Sequence, residues 1–166
     1  HMGAFVATTA SDGSDLVKSL GADEVIHYKT EKFEHSIRDY NAVLDTIGGA
    51  TLERSFVTLK KGGKIVSISG IPNGRFAKEN GFSSFKKTLF SIASYKLTKL
   101  EKKHNVQYTF LFMKHSGEQL KTLTEMLESE VIKPTLDKVF IFEDAQKAFE
   151  YAEAGRAKGK IILKLK

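Results

Sequence analysis

Apolar residues in the first seventy positions come in short runs separated by stretches of helical spacing. Ala4-Phe5-Val6-Ala7-Thr8-Thr9 is a run too short for a helix and reads as a buried strand. Asp15–Leu20 then has a helical pattern and closes at Gly21. The alternation continues with a strand over Asp23–Ile26, a short helix from Thr30 or Glu31 through Ile37, and a strand over Ala42–Asp45. Gly48-Gly49 precede a helix with apolar Leu52, Phe56 and Leu59. A turn at Lys61-Gly62-Gly63 then leads to a strand over Lys64–Ile68. Short apolar strands alternating with helices predict βαβ units and a parallel sheet covered on both faces. Crossovers of that kind are right-handed, so the expected fold class is α/β with a doubly wound, Rossmann-like parallel sheet.

Past Gly70 the texture changes. Residues 71–82 are polar and turn-rich, around Pro72, Asn73-Gly74 and Asn80-Gly81. The spacing then predicts a long helix over Ser83–Lys102, a strand over Val106–Phe112 and a helix over Gly117–Leu127. A strand over Val139–Phe142, a helix opened by Glu143-Asp144 and running through Ala154, and an alternating strand over Lys160–Leu165 complete the chain. In the long helix Phe82, Phe85, Leu89, Ile92 and Ala93 share a face, and the lysines fall largely outside it. A helix lying on a membrane surface has this pattern. A core-packed helix with a solvated lysine face has it too, and is the commoner case.

Composition narrows the function classes. The chain has 166 residues, 41% hydrophobic and 12 of them Phe, which suits a packed core and excludes the composition of a disordered chain. It has no cysteine, so disulfides, Cys-ligated zinc, iron–sulfur clusters and thiol chemistry are excluded. No apolar run approaches the length of a membrane span and no targeting pattern opens the chain, so the default expectation is a cytoplasmic protein. His1-Met2 read as a cloning remnant. The net charge of +6 is carried mainly by widely spread lysines, which weakens a nucleic-acid reading, and an anionic small molecule is served equally well by this sign of charge, so no nucleic-acid partner is expected.

Five segments in order carry a family resemblance: Leu20-Gly21-Ala22-Asp23-Glu24-Val25-Ile26, Ala42–Gly49, Leu59-Lys60-Lys61-Gly62-Gly63-Lys64-Ile65-Val66, Phe142–Phe149 and Gly159–Leu163. Together they resemble the cofactor domain of medium-chain dehydrogenases/reductases, in the zinc-independent NADPH:quinone oxidoreductase branch, over essentially the whole chain. Members of that family are roughly twice as long, with a GroES-like catalytic domain first. The resemblance therefore implies a truncated nucleotide-binding part, without that domain, the first Rossmann strand or the glycine-rich turn after it. No G-x-G-x-x-G occurs, and Gly48-Gly49 and Gly62-Gly63 sit at other elements, so the usual pyrophosphate grip is missing. The implied organisation is residues 3–130 as a partial Rossmann domain and 131–166 as a strand–helix–strand that would contact the missing domain.

The resemblance also implies which residues face a nicotinamide dinucleotide. Thr9 and Ser11 stand at the tip of the first strand, where an NAD site usually carries an acidic residue for the ribose 2′-hydroxyl. Small hydroxyl residues leave room for a 2′-phosphate, and Tyr28 matches a tyrosine beside that phosphate, so NADP is favoured over NAD. Asp12 complicates this reading, and Gly13-Ser14 stand where a lysine is common. Thr46 and Gly48 would lie by the adenine ribose, Ser69 and Gly70 by the nicotinamide half, and Phe112 and Met113 would line the nicotinamide pocket.

Other chemistry finds little footing. His27, His35, His104 and His115 show no metal-ligand spacing, Asp45 lacks an acid/base partner and reads as structural, and no nucleophile motif occurs. No catalytic residue and no metal is expected, since hydride passes directly between cofactor and substrate in this branch. The implied function is the nucleotide-binding part of an NADP(H)-dependent oxidoreductase acting on quinones, enones or related carbonyls, inactive alone. A Rossmann-like methyltransferase and a non-catalytic, self-associating fragment are the alternatives. Family dimers pair edge strands, which implies a homodimer through Val106–Phe112.

Overall fold

A computed structural model of the chain describes residues 2–11, 14–155 and 157–165. They form two compact units: Val6–Lys114, and the segment from His115 onward with the N-terminal residues through Phe5. The larger unit runs β1 (Ala7–Ala10), α1 (Ser14–Ser19), β2 (Glu24–His27), α2 (Phe33–Ser36), β3 (Tyr40–Asp45) and α3 (Gly49–Ser55). It continues through β4 (Leu59–Ser67), α4 (Gly74–Glu79), α5 (Ser84–Ala93), α6 (Tyr95–His104) and β5 (Gln107–Phe110).

The fold is α/β and Rossmann-like, and the pairings are parallel as the alternation of elements predicts. β1 pairs with β2, and β4 lies between β3 and β5. The sheet is not continuous, however. Strands share backbone hydrogen bonds only at about 4.8 Å spacing, and no described strand lies between the β1–β2 pair and the β3–β4–β5 sheet. A side chain links them instead, the Tyr40 hydroxyl donating to Glu24 Oε2 at 2.8 Å.

The core of this unit surrounds β4. Ile65 is fully buried, with Leu52, Phe56, Leu59, Leu97, Val106 and Tyr108 packed into one cluster. Leu52 and Phe56 are one helical turn apart on α3 and the 3₁₀ turn after it, so both meet the same sheet face. Each such large apolar side chain stabilises the fold by about 1.5–3 kcal/mol through burial.

Several elements depart from the pattern reading, each for a local reason. Leu59 opens β4 instead of ending the preceding helix. Lys61-Gly62-Gly63 form an irregularity inside that strand, where the register shifts from Tyr40↔Leu59 to Ala42↔Lys64 and Gly62 takes φ 81°. The polar stretch at 71–82 holds α4, whose first turn is capped by Asn73 Oδ1 accepting from the Phe76 amide at 2.9 Å. The long helix breaks into α5 and α6 at Ser94, a buried residue whose backbone leaves helical geometry at φ −93° and ψ 10°. The first strand starts at Ala7, and the Val106–Phe112 strand contracts to Gln107–Phe110.

The second unit contains α7 (Gly117–Glu128), β6 (Leu136–Ile141), α8 (Ala145–Glu153) and β7 (Lys160–Lys164), with β6 and β7 parallel. Tyr151 of α8 donates to Asp137 Oδ2 at 2.8 Å and takes the Lys138 ammonium over its ring at 4.2 Å. These contacts fasten α8 to β6.

Candidate functional site

The carboxyl ends of β3 and β4 are laced together by side chains. Asp45 and Ser67 close the two strands as register partners, both buried, and the Ser67 hydroxyl donates to Asp45 Oδ2. The other carboxylate oxygen accepts from the Gly48 amide at 3.0 Å and the Ile47 amide at 3.3 Å. Ser67 Oγ accepts in turn from the Ser69 amide at 3.2 Å, and the Ser69 hydroxyl donates to the Thr46 carbonyl at 2.8 Å. Two loops are thereby held in one arrangement, with the Thr46 and Ser69 residues exposed at the strand ends.

Two glycines make that closeness possible. Gly48 has φ 77°, and a Cβ there would lie 2.4 Å from the Ser69 carbonyl oxygen. A Cβ on Gly70 would lie 2.3 Å from Tyr108 Oη and 2.8 Å from Ser67 Oγ. Tyr108, from β5, is fully buried and donates its hydroxyl to the Ile71 carbonyl at 2.9 Å. Burial pushes its phenol up to about 12, against a smaller opposing effect of the neighbouring Ser67.

Of the residues singled out in the sequence, Thr46, Gly48, Ser69 and Gly70 are thus brought together. Phe112 and Met113 follow β5 and are exposed, with Phe112 stacked on Phe110 at 6.4 Å between ring centres. Thr9, Ser11 and Tyr28 belong to the other sheet. Thr9 lies on β1, Ser11 just beyond it, and the Tyr28 amide donates to the Ala10 carbonyl at 3.1 Å, which sets Tyr28 beside the tip of β1. Asp12, Gly13 and His1 lie outside the described residues. The pattern reading missed Ser67 and Tyr108. For Ser67 a signal existed: it shares the inward face of β4 with Ile65, and a buried hydroxyl there requires a partner.

Residues 20–163 match the family model described as zinc-binding dehydrogenase. The chain belongs to that family. It is thereby a member of the wider medium-chain dehydrogenase/reductase superfamily. It is 30% identical over 175 residues to the mitochondrial NAD(P)H oxidoreductase RTN4IP1 of Bos taurus, matching 95% of this chain and 40% of that protein. It is 32% identical over 161 residues to the 2-methylene-furan-3-one reductase of Solanum lycopersicum, matching 95% of this chain and 33% of that one. Among solved structures, the quinone oxidoreductase from Coxiella burnetii superposes with a TM-score of 0.73 at 26% identity, over 98% of this chain and 45% of that one. The chain therefore spans less than half the length of these relatives.

The family's description raises the question of zinc. Among the described residues no group of three or more His, Asp or Glu side chains comes together as a metal site, and the chain has no cysteine, so these residues do not fit the ion. Thr9, Thr46 and Ser69 are exposed hydroxyl residues at or just beyond the carboxyl ends of parallel strands, the position where open α/β sheets take ligands. The Ile47 and Gly48 amides are turned inward to Asp45 and are therefore not offered to a pyrophosphate.

Proposed function

We propose that this chain is the nucleotide-binding portion of an NADP(H)-dependent oxidoreductase that reduces quinones, enones or related carbonyls. The observation that carries this reading is the Asp45–Ser67 lacing, which presents Thr46 and Ser69 at the carboxyl ends of β3 and β4. In this reading Thr46 and Gly48 border the adenine ribose, Ser69 and Gly70 the nicotinamide half, and Phe112 and Met113 the apolar wall of the nicotinamide pocket. Thr9, Ser11 and Tyr28 form the 2′-phosphate end. No acidic side chain occupies the described tip of β1 at Thr9–Ser11, which favours NADP over NAD. When bound, the cofactor supplies the hydride; the protein's own part is to orient it and keep its nicotinamide face dry.

The chain acts as part of a larger active site and is inactive alone, because the pyrophosphate grip has no counterpart among the described residues. It forms a homodimer through the edge of β5 away from β4, where no described strand pairs; the Tyr108 amide and carbonyl there, held by Glu101 Oε1 at 2.7 Å and Arg75 at 3.0 Å, must be released for strand pairing. Calorimetric titration of the purified chain with NADPH tests the nucleotide-binding role, with NADH and S-adenosylmethionine as the comparison ligands. Saturable NADPH binding tighter than NADH is the expected result. Binding of S-adenosylmethionine in its place, or of none of the three, would overturn it.

A further inference from the structure

The helix pair α5–α6 carries a surface that the proposed nucleotide site does not use. All ten residues of α5 are at least partly exposed, and Phe85, Leu89 and Ile92 lie on one outward face at 79%, 53% and 68% exposure. Those three follow i, i+4, i+7 spacing, so their side chains form a single stripe. The stripe crosses the break at Ser94, because Ile92 and the exposed Tyr95 line the same shallow depression with Thr88 and Lys87. The segment that carries it is one-sided in charge. Residues 83–104 hold Lys86, Lys87, Lys96, Lys99, Lys102 and Lys103 against Glu101 alone, a net +5 of the chain's +6. All six lysines are exposed; Lys96 pairs with Glu53 of α3 at 2.6 Å, and the Lys86 ammonium lies 5.3 Å over the Phe82 ring, its stem along apolar surface.

Charge decides what can cover this face. A second copy of the same face would set two surfaces of net +5 against each other. An anionic bilayer surface neutralises the lysines and takes the aromatic and aliphatic stripe below its headgroups, the arrangement of an interfacial helix. We propose that α5 and α6 are a peripheral docking surface for an anionic membrane. The helix lies on the bilayer and does not cross it: no helix among the described residues is long and apolar enough to span one.

The test is co-flotation of the purified chain with phosphatidylcholine vesicles containing 30 mol % phosphatidylserine (roughly the anionic surface of a cytoplasmic leaflet), against pure phosphatidylcholine. Binding to the mixed vesicles alone, weakened by salt, is expected. Replacing Lys99 and Lys102 by glutamine should weaken it about fivefold per lysine. The F85S/I92S variant should abolish it while leaving the far-UV spectrum and thermal midpoint unchanged, since both side chains stand outside the core. No flotation with the anionic vesicles would overturn the proposal. So would F85S/I92S flotation equal to the parent chain, the mark of charge attraction of the kind any polyanion shares. Self-association abolished by F85S/I92S, without flotation, would assign the face to a second copy instead.

Discussion

Asp45 and Ser67 are register partners at the ends of two neighbouring parallel strands, and their side chains hydrogen-bond to each other inside the protein. One carboxylate thereby orders two loops, since it also accepts the Ile47 and Gly48 amides. Replacing Asp45 by alanine leaves a buried hydroxyl and two backbone amides without an acceptor. The expected loss is about 2–4 kcal/mol, read as a lower urea midpoint. Asparagine keeps one acceptor and the shape, and should lose clearly less. Equal losses for the two substitutions would show that the hydrogen bonds are not what Asp45 contributes.

Gly70 is crowded by the same cluster. A Cβ there meets Tyr108 Oη, Ser67 Oγ and Leu52 Cδ2 at 3.0 Å or less, so G70A should cost about 1–3 kcal/mol through overpacking. The closest of those atoms is a hydroxyl that phenylalanine lacks. In a double-mutant cycle G70A should therefore cost less in the Y108F background than in the parent. Additive losses would place the clash elsewhere.

Much of this fold is legible in the chain, and the limits are physical. The β3 and β4 strands follow from the runs at Ala42–Asp45 and Lys64–Ile68, because apolar β-branched runs bounded by glycine have few alternatives. Gly62-Gly63 read locally as a turn, yet the same positive φ serves a strand irregularity, and only the pairing of Leu59 with Tyr40 distinguishes the two. The break lies at a buried serine, Ser94, whose backbone leaves helical geometry at φ −93° and ψ 10°, which apolar spacing does not encode. Thr46, Gly48, Ser69 and Gly70 could be found as strand-end residues. The hub that joins them could not, since Asp45, Ser67 and Tyr108 lie on three strands and meet only through the sheet. Division of the strands into separate sheets is likewise invisible to a pattern that records strands one at a time.

Tyr108 also sets a pH dependence. Its folded-state phenol is raised to about 12, foremost by burial, whereas an unfolded tyrosine titrates near ~10. A group that holds its proton more tightly when folded contributes its full stability below the lower value and loses it as pH rises through the higher one. Stability should fall between about pH 10 and about pH 12, with the loss reduced in Y108F. Ultraviolet titration should show one tyrosine ionising last and vanishing from the curve in that variant. A parent and variant with identical alkaline limbs would refute the assignment.

The outer edge of β5 has no strand partner among the described residues, only the side chains of Glu101, Arg75 and Asn73 on Tyr108, and this leads to an oligomeric expectation. A strand with an unpaired edge relieves that liability by pairing with a copy of itself. Sedimentation at tens of micromolar should give a dimer. A strictly monomeric profile would remove the β5 edge as an interface.

The tip of β1 gives the sharpest test of cofactor choice. Ser11 stands just past the strand, beside Tyr28 on the neighbouring strand end, and offers a small hydroxyl where a carboxylate would meet a ribose 2′-hydroxyl. Introducing that carboxylate as Ser11→Asp sets a negative charge against the 2′-phosphate while supplying an acceptor to the free hydroxyl of NADH. NADPH affinity should fall by about tenfold or more and NADH affinity should rise, a reversal produced by repulsion and new hydrogen bonding together. Tyr28→Phe should weaken NADPH alone, because it removes a donor without adding charge. If both ligands weaken equally in Ser11→Asp, the residue supports the fold of the tip and does not read the phosphate. If neither changes, the 2′ end of the cofactor lies elsewhere, and the Thr9–Ser11–Tyr28 group has no part in binding.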